Sequence, residues 1–68
     1  MTKAERLKYL YDLLEEEEHL IIRIADERND ESISWIQHTI LMKEDHLTRR
    51  FIRHLQHEIA FLEGLCES

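Results

Sequence analysis

Apolar residues recur at intervals of three and four along the first part of the chain, which is the spacing of one side of an α-helix. This stripe consists of Leu7, Leu10, Leu14, Ile21, Ile24 and Ala25. Just before it, Thr2 and Glu5 have the spacing of a capping box, in which each side chain accepts a hydrogen bond from the other residue's backbone N–H. The pattern predicts a first helix over about residues 3–27.

A polar segment follows, and it is the first place where the helical pattern stops. Residues 28–31 contain Asn29 and Asp30, either of which can cap a following helix. A second stripe then runs to the only glycine, Gly64, and the chain contains no proline. The stripe consists of Ile33, Ile36, Ile40, Leu47, Phe51, Leu55 and Leu62. We therefore predict a turn at about 28–31 and a second helix over about 32–63.

The fold class that these patterns indicate is all-α, with one domain formed by a two-helix antiparallel hairpin. A break at Lys43–His46, with Asp45 capping a third helix, is the alternative. Neither glycine nor proline occurs there, so we expect the second helix to be continuous.

The apolar residues of both predicted helices cover more than one side. Tyr9, Leu13, Leu20 and Ile24 widen the first stripe, and Trp35, Thr39 and Met42 lie roughly opposite the second. A 68-residue hairpin has a small core, so we expect two copies to form a homodimeric four-helix bundle. In a sharper interpretation, Trp35, Thr39 and Met42 bind a different protein.

Charged residues interrupt both stripes near their middles. Glu17 takes the inward position on the first helix and Glu44 on the second, and Lys43 is their nearest cationic partner. We interpret Glu17, Lys43 and Glu44 as a polar layer that fixes register. The alternative is a metal-binding bundle, because Glu16-x-x-His19 has the Glu-x-x-His spacing of di-iron proteins. Its side chains point away from the stripe, so we predict neither a metal nor another cofactor.

The charge balance argues against two classes of partner. Fifteen acidic and nine basic residues give a net charge of −6, which disfavours nucleic acid and anionic membranes. A basic patch at Arg49, Arg50 and Arg53 leaves RNA binding as an alternative. No stretch is long and apolar enough to span a membrane. Cys66 is the only cysteine and has no evident catalytic partner, so we predict a cytoplasmic protein that is not an enzyme.

The chain resembles two kinds of small helical hairpin. Its length, the opening Met1-Thr2-Lys3 with Glu5, and the acidic turn near position 30 resemble plasmid copy-number regulators of the Rop type. That resemblance implies a dimeric four-helix bundle that binds paired RNA loops, although the Rop alternation of small and large core residues is missing here. Its length and Leu62-Glu63-Gly64 are similar to co-chaperones of type III secretion needle subunits. Our leading prediction is a dimeric interaction module that acts as a regulator, adaptor or chaperone.

Overall fold

The fold is an antiparallel hairpin of two long α-helices. The computed structural model describes residues 1–64, in which α1 spans Lys3–Arg28 and α2 spans Trp35–Leu62. The two helices pack against each other along their lengths. The predicted all-α hairpin is confirmed. Helix α2 runs unbroken through Lys43–His46, so the three-helix alternative is wrong.

The start of α1 is fixed by the predicted capping box. The Glu5 backbone N–H donates to Thr2 Oγ1 at 3.1 Å, and the Thr2 N–H donates to Glu5 Oε1 at 3.2 Å. These bonds to the Thr2 side chain and backbone lower the pKa of the Glu5 carboxyl from its usual 4.5. Two N–H groups that the helix itself leaves without partners are thereby satisfied.

The turn between the helices ends later than the sequence indicated. Asp30 does not cap α2; it forms hydrogen bonds within the turn, and Ser34 is the capping residue. The Asp30 carboxylate accepts from the Ser32 hydroxyl and backbone N–H, at 2.7 and 2.9 Å, and these bonds lower the pKa of Asp30. Asp30 thus stabilises the turn itself. Ser34 caps α2 instead, with its Oγ accepting from the Gln37 N–H at 3.2 Å.

Helix α2 ends at a glycine that adopts a left-handed backbone conformation. Glu63 is the last capping residue, and Gly64 follows with a φ of 77°. That left-handed conformation strains residues with a Cβ but suits glycine, which commonly occupies this position after a helix. The predicted end near Gly64 is confirmed.

The core is a single seam between the two helices. On α1 it includes Leu10 and Ile24, as predicted, and Ile24 is only 2% exposed. On α2 the prediction was wrong for most of the stripe. Its buried positions are Leu41, Thr48, Leu55 and Ile59. Ile36, Ile40, Leu47 and Phe51, which were expected in the core, are exposed.

The hairpin is one helix thick. Its principal dimensions are 46 × 23 × 15 Å, and a helix with its side chains is about 10–12 Å across. Each helix therefore has one neighbour and large open sides. Across residues 1–64, neither helix has the length of apolar sequence needed to cross a membrane.

Candidate protein interface

One open side of α2 is apolar. Ile36, Ile40, Leu47 and Phe51 are spaced four, seven and four residues apart, so they form a line along the helix. These four side chains are between 41 and 57% exposed. Glu44, four residues after Ile40, lies in the gap before Leu47. Scattered exposed apolar residues are ordinary on a protein surface, but several of them along one side of a helix mark a contact surface.

The apolar flank of α1 lies on the same side of the hairpin. Arg6 of α1 forms an ion pair with Glu58 of α2, which fixes how the two helices are turned toward each other. Tyr9 and Leu13 follow Arg6 by three and seven residues, and Phe51 precedes Glu58 by seven. These spacings keep residues on one side of a helix. We call the combined surface the apolar face, formed by Tyr9, Leu13, Leu20, Ile36, Ile40, Leu47 and Phe51.

The opposite face is more polar. There the Tyr11 hydroxyl donates to Glu63 Oε2 at 2.9 Å, and this bond to a carboxylate raises the pKa of Tyr11. A shallow groove runs beside it, lined by Glu18, Ile21, Ile22, Arg49, Ile52, Arg53 and Gln56. Ile22 is 60% exposed. Ile21 and Ile52 share the groove with it, but so do the charged side chains of Glu18, Arg49 and Arg53, so this face mixes apolar and charged residues.

The polar layer is built from different residues than the sequence indicated. Glu17 is half-buried against α2, as expected of an inward position, but Lys43 and Glu44 are exposed. The inward position on α2 belongs to Asp45. Its Oδ1 and Oδ2 accept from Arg49 Nε at 3.2 and 3.0 Å, and Oδ2 lies 3.9 Å from Arg28 Nη1.

Glu17 and Glu44 also lie at different heights along the hairpin. Glu18 shares its groove with Ile52 and Arg53, so this part of α1 is level with a segment of α2 well beyond Glu44. The later start of α2 shifts the register away from the one expected from a turn centred near position 30. The predicted Glu17, Lys43 and Glu44 layer is therefore not assembled within one hairpin.

The three residues predicted to bind a partner lie near the start of α2, away from the apolar face. Trp35 is 76% exposed and Met42 is also exposed. The Thr39 hydroxyl donates to the Trp35 carbonyl oxygen at 2.9 Å, which occupies its hydrogen-bond donor within the helix. Trp35 and Met42 form a separate small apolar patch that nothing in the hairpin covers.

The basic patch is exposed but only partly free. Arg49 is held by Asp45. Arg50, Arg53, His54 and His57 line a shallow depression on the outer side of α2. Within residues 1–64, no ion pair involves Arg50 or Arg53. Their predicted contact with RNA stays a prediction.

The Glu16-x-x-His19 pair lies on the exposed outer side of α1, beside Asp12 and Glu15. In the described part of the chain, no three His, Cys, Asp or Glu side chains are grouped so that they could hold one metal ion. Cys66 lies outside the described residues.

No protein-family model matches the chain, and comparisons with curated proteins and with solved structures gave no match either.

Proposed function

We propose that this chain is a non-enzymatic interaction module that works as a homodimer, in which two hairpins bury their apolar faces against each other as a four-helix bundle. The observation that carries the proposal is the continuity of that face across both helices. Leu47 and Phe51 of α2 lie beside Leu20 of α1, because this part of α1 is level with the middle of α2. On the same side, Ile36 and Ile40 extend the face toward the turn, and Tyr9 and Leu13 extend it toward the other end of the hairpin. A second copy has the same flat shape and the same apolar face, so the two faces can pack against each other.

The exposed area supports a dimer. The chain has 5565 Å² of accessible surface and a mass of 8.3 kDa. A compact monomer of this mass exposes about 4,600 Å². The excess of about 1,000 Å² is close to the ~800 Å² that each partner buries in a standard interface. Packing against one further layer of helices would therefore reduce the accessible area of the hairpin to that of a compact monomer of the same mass.

The core supports it as well. Five apolar residues are buried in the hairpin, and domains of this size usually need oligomerisation, a metal or disulfides in addition to their core. When identical chains oligomerise, a two-fold symmetric dimer is the commonest arrangement.

The dimer has a direct test. Sedimentation equilibrium over a dilution series should give twice the chain mass at high concentration, and the thermal midpoint should rise with concentration because folding is coupled to association. A folded chain that has the monomer mass throughout, with a midpoint independent of concentration, would contradict the proposal.

A matched pair of variants locates the interface. Ile40→Glu places a charge in the apolar face and should weaken association at least a hundredfold, because a buried unpaired charge is costly. Ile22→Glu makes the same change at an exposed isoleucine on the opposite face and should leave the mass unchanged. Equal weakening by both variants would contradict the assignment of the face.

We further propose that Trp35, Thr39 and Met42 contact a different protein, with the homodimer as an adaptor. Trp35 and Met42 are exposed and lie outside the apolar face, so dimerisation leaves them accessible. Cross-linking from a photoreactive group at Met42 in the native host should capture a defined protein, and Trp35→Ala should abolish that capture without changing the dimer mass.

A cytoplasmic location is part of the same proposal. The single cysteine among 68 residues supports it, since disulfides are frequent in small domains from oxidising compartments. Cell fractionation tests this location.

A further inference from the structure

Charged residues border the apolar face on both helices, and the two borders differ in sign. On α1, Glu16 and Glu27 lie seven residues from Tyr9 and Leu20, so they run beside the apolar residues. On α2, Lys43, Arg50 and His54 run beside Ile36 and Leu47 in the same way. All five border residues are exposed. Among residues 1–64, no ion pair joins Glu16, Glu27, Lys43 or Arg50 to another side chain.

The register of the hairpin puts opposite charges at matching heights. The Arg6–Glu58 and Arg28–Asp45 ion pairs set how α1 and α2 run past each other. Glu27, next to Arg28, therefore lies within about one helical turn of Lys43 in height. Glu16 lies between these two ties and is level with Arg50 and His54. Within one hairpin these partners are on outer borders, too far apart to pair across the width of two helices.

We propose that the second copy docks with its α2 over α1 of the first, through a two-fold axis parallel to the helices. This inference rests on the proposed homodimer and adds its geometry. A parallel axis exchanges the helices but keeps each residue at its own height. Glu27 then faces Lys43 of the second copy, and Glu16 faces its Arg50 and His54. Each contact occurs twice by symmetry.

Arg23 is an exception on the α1 border. It lies between Glu16 and Glu27, where its charge interrupts the acidic pattern. Because it comes four residues before Glu27, it is level with the part of α2 around Leu47, so in the proposed dimer it lies between the two charged contacts.

The competing arrangement stacks each helix on its own counterpart, through a two-fold axis perpendicular to the helices. Glu16, which lies near the middle of α1, would then approach Glu16 of the second copy, and Arg50 and His54, which are level with it, would approach their own counterparts. Like charges across an interface disfavour a partner or an orientation. The charges along the two borders therefore favour the dimer whose two-fold axis is parallel to the helices.

Charge reversal tests this geometry. The variant Glu16→Lys/Glu27→Lys gives both facing borders positive charge, so it should associate about tenfold or more weakly, because each exposed pair lost is lost twice in the symmetric dimer. Adding Lys43→Glu and Arg50→Glu to the same chain restores opposite charges and the original net charge, and should return association to within about threefold of the wild type. The matched control, Glu15→Lys/Glu18→Lys, has the same net charge as the first variant but leaves this border intact, so it should not weaken association.

The outcomes separate the two proposals. A wild-type chain that is monomeric at all concentrations overturns the homodimer itself, before any variant is made. A dimeric wild type with an equally tight Glu16→Lys/Glu27→Lys variant overturns only the helix arrangement.

A disulfide experiment gives a second, geometric measurement. In a Cys66→Ser background, Glu16→Cys and His54→Cys chains are mixed and gently oxidised. Mass spectrometry should find mainly the mixed disulfide between positions 16 and 54. A predominance of the Glu16→Cys chain linked to itself would support the competing arrangement and overturn ours.

Discussion

The two faces of this hairpin carry similar numbers of large side chains but differ in how those side chains are surrounded. On the apolar face, Phe51 lies in line with Leu47 and beside α1 residues of the same character. On the opposite face, Tyr11 donates to Glu63, and Ile22 lies in a groove where Ile21 and Ile52 are mixed with Glu18 and two arginines. Exposure alone would rank Ile22 above Phe51 as a contact residue. Continuity with apolar neighbours is the better guide to an interface.

The largest effect is expected at the seam that both faces share. Ile24→Ala removes buried methyl and methylene groups at the least exposed core residue and should cost about 2–4 kcal/mol in the free energy of unfolding. Urea denaturation at fixed chain concentration measures it. Because both faces depend on this seam, the same variant should also lose dimer mass, and a loss below about 0.5 kcal/mol would show that the helices pack differently.

A matched aromatic pair sharpens the comparison of the faces. Phe51 and Tyr11 are similarly exposed, at 41 and 46%. We expect Phe51→Ala to raise the dimer dissociation constant about tenfold to a hundredfold, since a ring buried at an interface contributes about 1.5–3 kcal/mol. Tyr11→Ala should leave the dissociation constant within about twofold. If Tyr11→Ala has the larger effect, the faces have been assigned the wrong way round.

A smaller effect is expected at the inward carboxylate. Asp45 interacts with both Arg28 and Arg49, and its side chain is 16% exposed. Asp45→Ala should lower the free energy of unfolding by about 1 kcal/mol, because it removes a partly buried partner of two cations. Asp12→Ala, which removes the exposed Lys8–Asp12 pair, is the control and should cost only a few tenths of a kcal/mol. Equal costs would mean that the burial of Asp45 does not matter.

The smallest effect concerns the cap of α1. Since folding lowers the pKa of Glu5, the unfolded chain binds the proton more tightly. The cap's contribution is therefore present above the usual pKa of 4.5 and is lost as the pH falls through the lower folded value. Thermal melts of the wild type and Glu5→Gln between pH 6 and 3 should converge at the acid end. Parallel curves would exclude this role of the carboxylate.

The sequence predicted α1 better than α2 for a physical reason. On α1 one stripe dominates, and all its predicted members except the exposed Ala25 are buried or half-buried: Leu7, Leu10, Leu14, Ile21 and Ile24. On α2 two apolar stripes run side by side, one through Leu41, Thr48, Leu55 and Ile59 and the other through Ile36, Ile40, Leu47 and Phe51. Helical spacing identifies both, but it does not say which faces the neighbouring helix.

The errors at the candidate site have the same origin. Choosing the wrong stripe made Glu44 the inward carboxylate instead of Asp45, one position further on. The cap at Ser34 was missed because Asn29 and Asp30 come first and have equal capping propensity. A signal for Asp45 was present in the sequence, since Arg49 follows it by four residues at the spacing of a helical ion pair.

The two stripes of α2 also have a consequence for the folding landscape. Because α2 has two comparable apolar stripes, either stripe could pack against α1. In an isolated hairpin these two rotations of α2 compete, which is a source of frustration in folding. The Arg28–Asp45 pair near the turn distinguishes them, because rotating α2 would withdraw Asp45 from Arg28. Together with the Arg6–Glu58 pair at the other end of the hairpin, this polar contact determines the rotation of a helix whose two apolar stripes would allow either setting.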